Sequence, residues 1–183
     1  MAAPKNDHVK EQILDAAMRL LREQPDVSLA EVAAAANVSK GTLYYHYASK
    51  AELYLDVGER YWQKLADSLL DWVDNPGKDS SLPRLVRYAI SYGVFDESGP
   101  IRLHLFADAI QNENQAVREA LIRQYSYFQE ILRTRISARR PDGDGENLAW
   151  LLLALIDGLM VQHTLKNPAL DVPQFIEFMT REF

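Results

Sequence analysis

The sequence predicts an all-α protein of about nine helices, in which a small three-helix head carrying a helix-turn-helix precedes a larger helical body. Three observations predict it. Apolar residues recur at three- and four-residue spacing along most of the chain, as helices with one buried stripe require. The pattern Ser-x-x-Glu, in which a serine and a glutamate satisfy the unpaired donors of a helix start, occurs at Ser28-Leu29-Ala30-Glu31 and again at Ser49-Lys50-Ala51-Glu52. Helix-stopping clusters such as Pro25-Asp26, Asn75-Pro76-Gly77 and Pro141-Asp142-Gly143 fall between the periodic stretches.

Val9, Ile13, Ala16, Ala17, Leu20 and Leu21 share a stripe, which places a first helix over 8–23, ended by Pro25-Asp26. Ser28 caps an alanine-rich second helix that runs to Ala36 and stops at Asn37, a residue tolerant of turn geometry. Ser39 caps a third, beginning at Lys40. At one hundred degrees per residue, Leu43 and Tyr47 turn inward toward Leu29, Val32 and Ala33. Gly41, Thr42 and Tyr45 turn outward, with Lys40 and Tyr44 on the flank between the faces.

The second Ser-x-x-Glu opens a long helix over 49–74, striped by Tyr54, Val57, Tyr61, Leu65, Leu69 and Trp72 and stopped by Asn75-Pro76-Gly77. A loop over 77–81 leads to Leu82-Pro83, with proline suited to a first turn, and a helix to about Val94. Residues 96–100 read as a turn, 101–109 as a short helix, and Asn112-Glu113-Asn114 as the approach to a long helix over 115–138. Arg133, Arg135, Arg139 and Arg140 crowd its end, where positive charge suits the helix dipole. The acidic spacing of the 141–145 loop is too short for an EF-hand. Residues 146–166 are apolar almost all round, which predicts burial on more than one side, and 173–181 forms a last helix with Phe175, Ile176, Phe178 and Met179.

With 48% hydrophobic and 25% charged residues, the 183-residue chain has a globular composition. It contains no cysteine, which excludes disulfides and thiolate metal sites and suits a reducing cytoplasm. No apolar segment follows the N-terminal residues as a signal peptide would require, and the run Leu148 to Ile156 is too short for a membrane span. The net charge of -6 sits outside the head, because Lys5, Lys10, Arg19, Arg22, Lys40 and Lys50 balance Asp7, Glu11, Asp15, Glu23, Asp26 and Glu31. A neutral head on an acidic body is compatible with DNA binding through few phosphate contacts.

The second and third helices flank a turn of three to four residues, the spacing of a helix-turn-helix, and the outward face of the third carries hydroxyl and aromatic groups with little charge. Lys50, in the first turn of the next helix, opposes that helix's dipole, a placement that makes sense beside a phosphate. The order Ser28 to Ala36, Val38-Ser39-Lys40-Gly41-Thr42-Leu43-Tyr44-Tyr45-His46-Tyr47, Ser49-Lys50 closely resembles the DNA-binding domain of the tetracycline-repressor (TetR) family of bacterial regulators. The resemblance implies a DNA-binding domain over 1–52 and a ligand-binding and dimerisation domain over 53–183. It implies that Ser28, Lys40, Tyr44, Tyr45, His46 and Lys50 touch phosphates. Gly41, Thr42 and Tyr45 then lie nearest the bases, and Ser39, which caps the same helix, also belongs to the DNA-binding set.

For the body, the resemblance implies a homodimer through the last two long helices, which presents two recognition helices to a palindromic operator in double-stranded DNA. The small residues Ala149, Ala154 and Gly158 allow close helix approach. It also implies a pocket for a small apolar or aromatic effector, for which Trp62, Leu65, Leu69, Tyr88, Tyr92, Phe95, His104, Phe106, Tyr125, Phe128 and Trp150 supply material. Each of these is otherwise an ordinary core residue. A repressor released by its ligand follows, with a co-repressor-dependent regulator, an activator, or a protein-interaction module without DNA as alternatives. Catalysis lacks its signatures: there is no G-x-S-x-G, no cysteine nucleophile, no H-E-x-x-H and no P-loop. No metal spacing and no cofactor motif is visible, and Asp157 is the one carboxylate expected to be buried within the apolar helix.

Overall fold

The structure is a computed structural model that describes residues 4–24, 27–73, 75, 77, 81–96, 99–111 and 114–182. Among the described residues there are nine α-helices and no strand: α1 (Pro4–Glu23), α2 (Leu29–Ala35), α3 (Lys40–His46), α4 (Lys50–Val73), α5 (Leu82–Phe95), α6 (Gly99–Gln111), α7 (Gln115–Arg139), α8 (Gly145–Thr164) and α9 (Val172–Glu182). Pro25, Asp26, Pro76, 78–80, Glu97, Ser98, Asn112 and Glu113, invoked above as stops or turns, lie outside the described residues.

Two helices start two or more residues earlier than the sequence pattern predicts, each with a proline in its first turn. Proline opens the first turn of α1 at Pro4 and of α6 at Pro100, where its missing N–H costs no hydrogen bond. The expected turn over 96–100 therefore gives way to helix at Gly99. The acidic loop before α8 is a cap: Asp144 accepts from the Asn147 backbone at 3.0 Å, and these bonds hold its carboxyl below the ordinary carboxylate range. Asp171 caps α9 in the same way, accepting from the Gln174 backbone at 3.0 Å.

The helices form two compact units. One comprises Met1–Tyr61 with Pro100–Ala120, the other Trp62–Gly99 with Leu121–Phe183, so α4 contributes to both. In the first, Ile13, Ala17, Val32, Leu43, Leu53, Val57 and Leu105 are buried. The inward turn of Leu43 and Tyr47 is met, as both are buried.

In the second unit α5 packs on α8 and α9, with Leu85, Ile90, Leu132, Ile136, Leu152, Met160 and Ile176 in the core. A Cβ at Gly93 of α5 would lie 2.6 Å from Cγ2 of Ile156 on α8, so the absent side chain lets these two helices approach. Burial of α8 on more than one side is not met within one chain. Trp150, Leu151, Ala154 and Gly158 are exposed along its free face, at the three- and four-residue spacing of one stripe. No helix among the described residues is long and apolar enough to cross a membrane.

Candidate nucleic-acid interface

The turn between α2 and α3 is built by Asn37, which adopts the left-handed conformation (φ 54°) that asparagine tolerates better than most residues. Its N–H donates to the Ala34 carbonyl at 3.1 Å and that of Val38 to the Ala33 carbonyl at 3.0 Å, closing the end of α2. Ser39 then caps α3, accepting from the Thr42 N–H at 3.0 Å and sharing a hydrogen bond with the Thr42 hydroxyl at 2.8 Å. The seven-residue helix is thus started on one side by hydroxyls and anchored on the other by Leu43 and Tyr47.

What remains outward is the predicted set except Thr42, which is half-buried with its hydroxyl bonded to Ser39. Tyr44 is 55% exposed and Tyr45 75% exposed, Lys40 and Gly41 are exposed, and His46 packs edge-on against the Tyr45 ring at 5.3 Å. Two large aromatics thus stand side by side in water on this face. Ser28 and Lys50 carry internal duties as well. Ser28 completes a capping box, accepting from the Glu31 backbone at 3.2 Å while its own N–H and hydroxyl donate to the Glu31 carboxylate. The Lys50 ammonium lies 5.1 Å from the centre of the Tyr54 ring.

Gly41 is not demanded by the protein's own packing. A Cβ there would meet nothing closer than Ser39 Oγ at 3.8 Å, an ordinary contact. Glycine in a helix is less favourable than alanine by up to about 1 kcal/mol, so an alanine would be accommodated here. Gly41→Ala is expected to raise the melting temperature while weakening DNA binding. Calorimetry and fluorescence anisotropy check the two signs separately, and a stabilised variant with undiminished DNA affinity would remove Gly41 from the interface.

Sequence reasoning missed a polar network beneath α3. The hydroxyl of Tyr47, 2% exposed, donates to Asp56 Oδ2 of α4 at 3.0 Å, and the Lys10 ammonium of α1 pairs with the same oxygen at 2.6 Å. One turn further along α4, Arg60 pairs with Glu11 and, at 3.2 Å, with Asp15 of α1. Burial first, then the Asp56 carboxylate, pushes the Tyr47 phenol far above its ordinary value of 10.0. It stays a neutral donor throughout the physiological range. The visible signal was Asp56 and Arg60 at i,i+4, opposite in sign to Lys10 and Glu11.

The ligand candidates divide between the units. His104 and Phe106 belong to the first, where the His104 ring stands edge-on to Tyr54 at 4.6 Å. Trp62, Leu65, Leu69, Tyr88, Tyr92, Tyr125, Phe128 and Trp150 belong to the second. There Trp72, Tyr88 and Tyr92 form a stacked ladder with centroids 3.9 and 5.6 Å apart, and the Arg84 guanidinium lies 5.2 Å from the Trp72 ring. Phe95 packs edge-on against His163 at 4.9 Å. Tyr125 on α7 donates to Asp157 on α8, which gives the carboxylate in the apolar helix a partner. Trp62, Leu69 and Phe128 are buried, whereas Trp150 is 43% exposed on the open face of α8. Of the arginines ending α7, Arg133 forks onto Glu130 and Arg139 donates to the Arg135 carbonyl at 2.9 Å, as a structural role requires.

Comparison with known proteins adds to this geometry. The family described as bacterial regulatory proteins, tetR family, matches residues 13–57, and that described as BetI-type transcriptional repressor, C-terminal, matches 101–183. The nucleoid occlusion factor SlmA of Shewanella pealeana is 30% identical over 172 residues, 88% of this chain and 86% of the relative. The HTH-type transcriptional regulator AcrR of Shigella flexneri is 25% identical over 163 residues, 82% of this chain and 76% of the relative. A transcriptional regulator from Saccharomonospora viridis, crystallised with choline, shares the fold at TM-score 0.81 and 19% identity, over 97% of this chain and 95% of that one.

Proposed function

Because this chain belongs to the tetR family of bacterial regulatory proteins, we propose that it is a sequence-specific transcriptional repressor that binds a palindromic operator as a homodimer and leaves it when a small apolar or aromatic ligand binds. The observation that carries the reading is the two-sided α3, capped and anchored from within while Tyr44, Tyr45 and Gly41 face outward. In this reading residues 1–52 are the DNA-binding part and 53–183 the ligand-binding and dimerising part of a cytoplasmic protein.

The α8 face supports the dimer. Trp150, Leu151, Ala154 and Gly158 leave apolar and small residues in water, and among the described residues no neighbour outside its own helix backbone comes within 4 Å of the position a Gly158 Cβ would take. A mid-helix glycine weakens a helix and here fills no need of its own chain. A second copy of α8 crossing at that point explains it, and its two-fold axis matches a palindromic site.

Release follows from linkage. A ligand that binds better to a conformation with weak operator affinity must lower operator affinity by the same factor. A cationic effector is the second reading, favoured by the Asp157 carboxylate within an apolar helix and by the choline bound to the Saccharomonospora viridis relative. No cofactor and no catalytic step enters either reading.

The test is fluorescence anisotropy on duplexes selected from random DNA at two salt concentrations. Tyr45→Ala is expected to lower affinity for the selected palindrome by about tenfold to a hundredfold, and Lys40→Ala to weaken all duplexes alike with a shallower salt dependence. Release by apolar compounds or by choline separates the two ligand classes. Enrichment of no duplex, with or without ligand, would leave the helix-turn-helix to a protein partner.

A further inference from the structure

We propose that Asp56 is a positioning residue for operator recognition: its carboxylate, held by Lys10 of α1, takes the Tyr47 hydroxyl and so fixes the angle at which the outer face of α3 meets DNA. This rests on the reading of α3 as the recognition helix.

A seven-residue helix has little stability of its own and takes its orientation from what it is anchored to. Leu43, fully buried, fixes its depth by a contact that has no direction. Tyr47 closes the other end, with its N–H donating to the Leu43 carbonyl at 2.9 Å and its ring buried. A phenylalanine would satisfy that burial. The hydroxyl adds a cost unless it is bonded, and it is bonded to a carboxylate, the stronger kind of acceptor.

That carboxylate is itself tied. Lys10 Nζ is 2.6 Å from the oxygen that receives Tyr47 and lies 5.8 Å from the centre of the Tyr47 ring, so α1, the end of α3 and α4 meet at one oxygen. Arg60, four residues on, pins α4 to α1 a second time through Glu11 and Asp15. Any rotation of α4 about its axis carries Asp56 with it and must either drag Tyr47 or break its bond.

The test compares wild type with Tyr47→Phe, Asp56→Asn and the double variant, measuring affinity for the selected operator and for a random duplex, and amide exchange without DNA. Tyr47→Phe and Asp56→Asn are each expected to lower operator affinity about tenfold, leaving random-duplex affinity and its salt slope unchanged, and the double variant to lose no more than either single one. Exchange at the Tyr45, His46 and Tyr47 amides should rise about tenfold while the centre of α1 is unaffected. Equal losses on both duplexes, additive losses, or unchanged exchange in Tyr47→Phe overturn the proposal. If wild type selects no duplex, the regulator reading fails and the operator role with it; exchange then decides whether Asp56 holds α3 at all, unchanged rates overturning that too.

Discussion

Gly158→Arg is expected to leave the chain folded but monomeric, and to lower its affinity for a palindromic operator by about a hundredfold or more. The fold is spared because the space beyond the Gly158 Cα is open within the chain, and because arginine forms helix better than glycine by close to 1 kcal/mol. The proposed dimer would be lost because, if two copies of α8 meet there, the new guanidinium would be buried unpaired. The loss on DNA follows from valency: once one head is bound, its partner finds the second half-site at high effective concentration, an advantage of about 10² to 10⁴ that a monomer forgoes. Sedimentation and anisotropy on full and half operators read the two effects. A Gly158→Arg protein that still sediments as a dimer would move the interface elsewhere, and Gly158→Ala, predicted to stabilise each chain, controls for the helix itself.

Gly93→Ala is expected to destabilise the protein by about 2 kcal/mol, against the sign that helix propensity alone would give. The added methyl would sit 2.6 Å from Cγ2 of Ile156, a branch methyl whose χ1 is held to one rotamer in a helix and cannot swing aside. Ile156→Leu removes that branch, so the pair Gly93→Ala with Ile156→Leu should recover most of the loss. Urea titrations of the two single variants and the double variant measure it. If Gly93→Ala raises the midpoint instead, the α5–α8 packing described above is wrong at its tightest point.

These two glycines also mark what could be read from residues alone. The helices of the head were legible because local chemistry decides them: Ser28 and Ser39 cap, Asn37 takes the left-handed turn, and Leu43 and Tyr47 fall on one face. The outward set on α3 followed by geometry from that phase. The Tyr47–Asp56–Lys10 junction did not, because it joins residues nine and forty-six positions apart and the sequence reveals only that their charges are compatible. The ligand candidates are aromatic and apolar residues, a character that cannot distinguish a lining residue from a member of the stacked Trp72–Tyr88–Tyr92 ladder or from Trp150 on the open face of α8. Nor can periodicity tell Gly93, filled by a neighbour in the same chain, from Gly158, which nothing among the described residues fills.

Each unit is assembled from two separated stretches of chain, Met1–Tyr61 with Pro100–Ala120 and Trp62–Gly99 with Leu121–Phe183. Synthesis therefore cannot finish them one after the other. A nascent chain that has emerged only as far as Gly99 holds the whole helix-turn-helix yet lacks Ile101, Leu105 and Ala109, apolar residues buried in the same unit. The second unit waits in turn for everything beyond Leu121. Interleaving of this kind raises the loop-closure cost of each unit and slows its folding. Any regulator assembled this way becomes competent for DNA only late in its own translation.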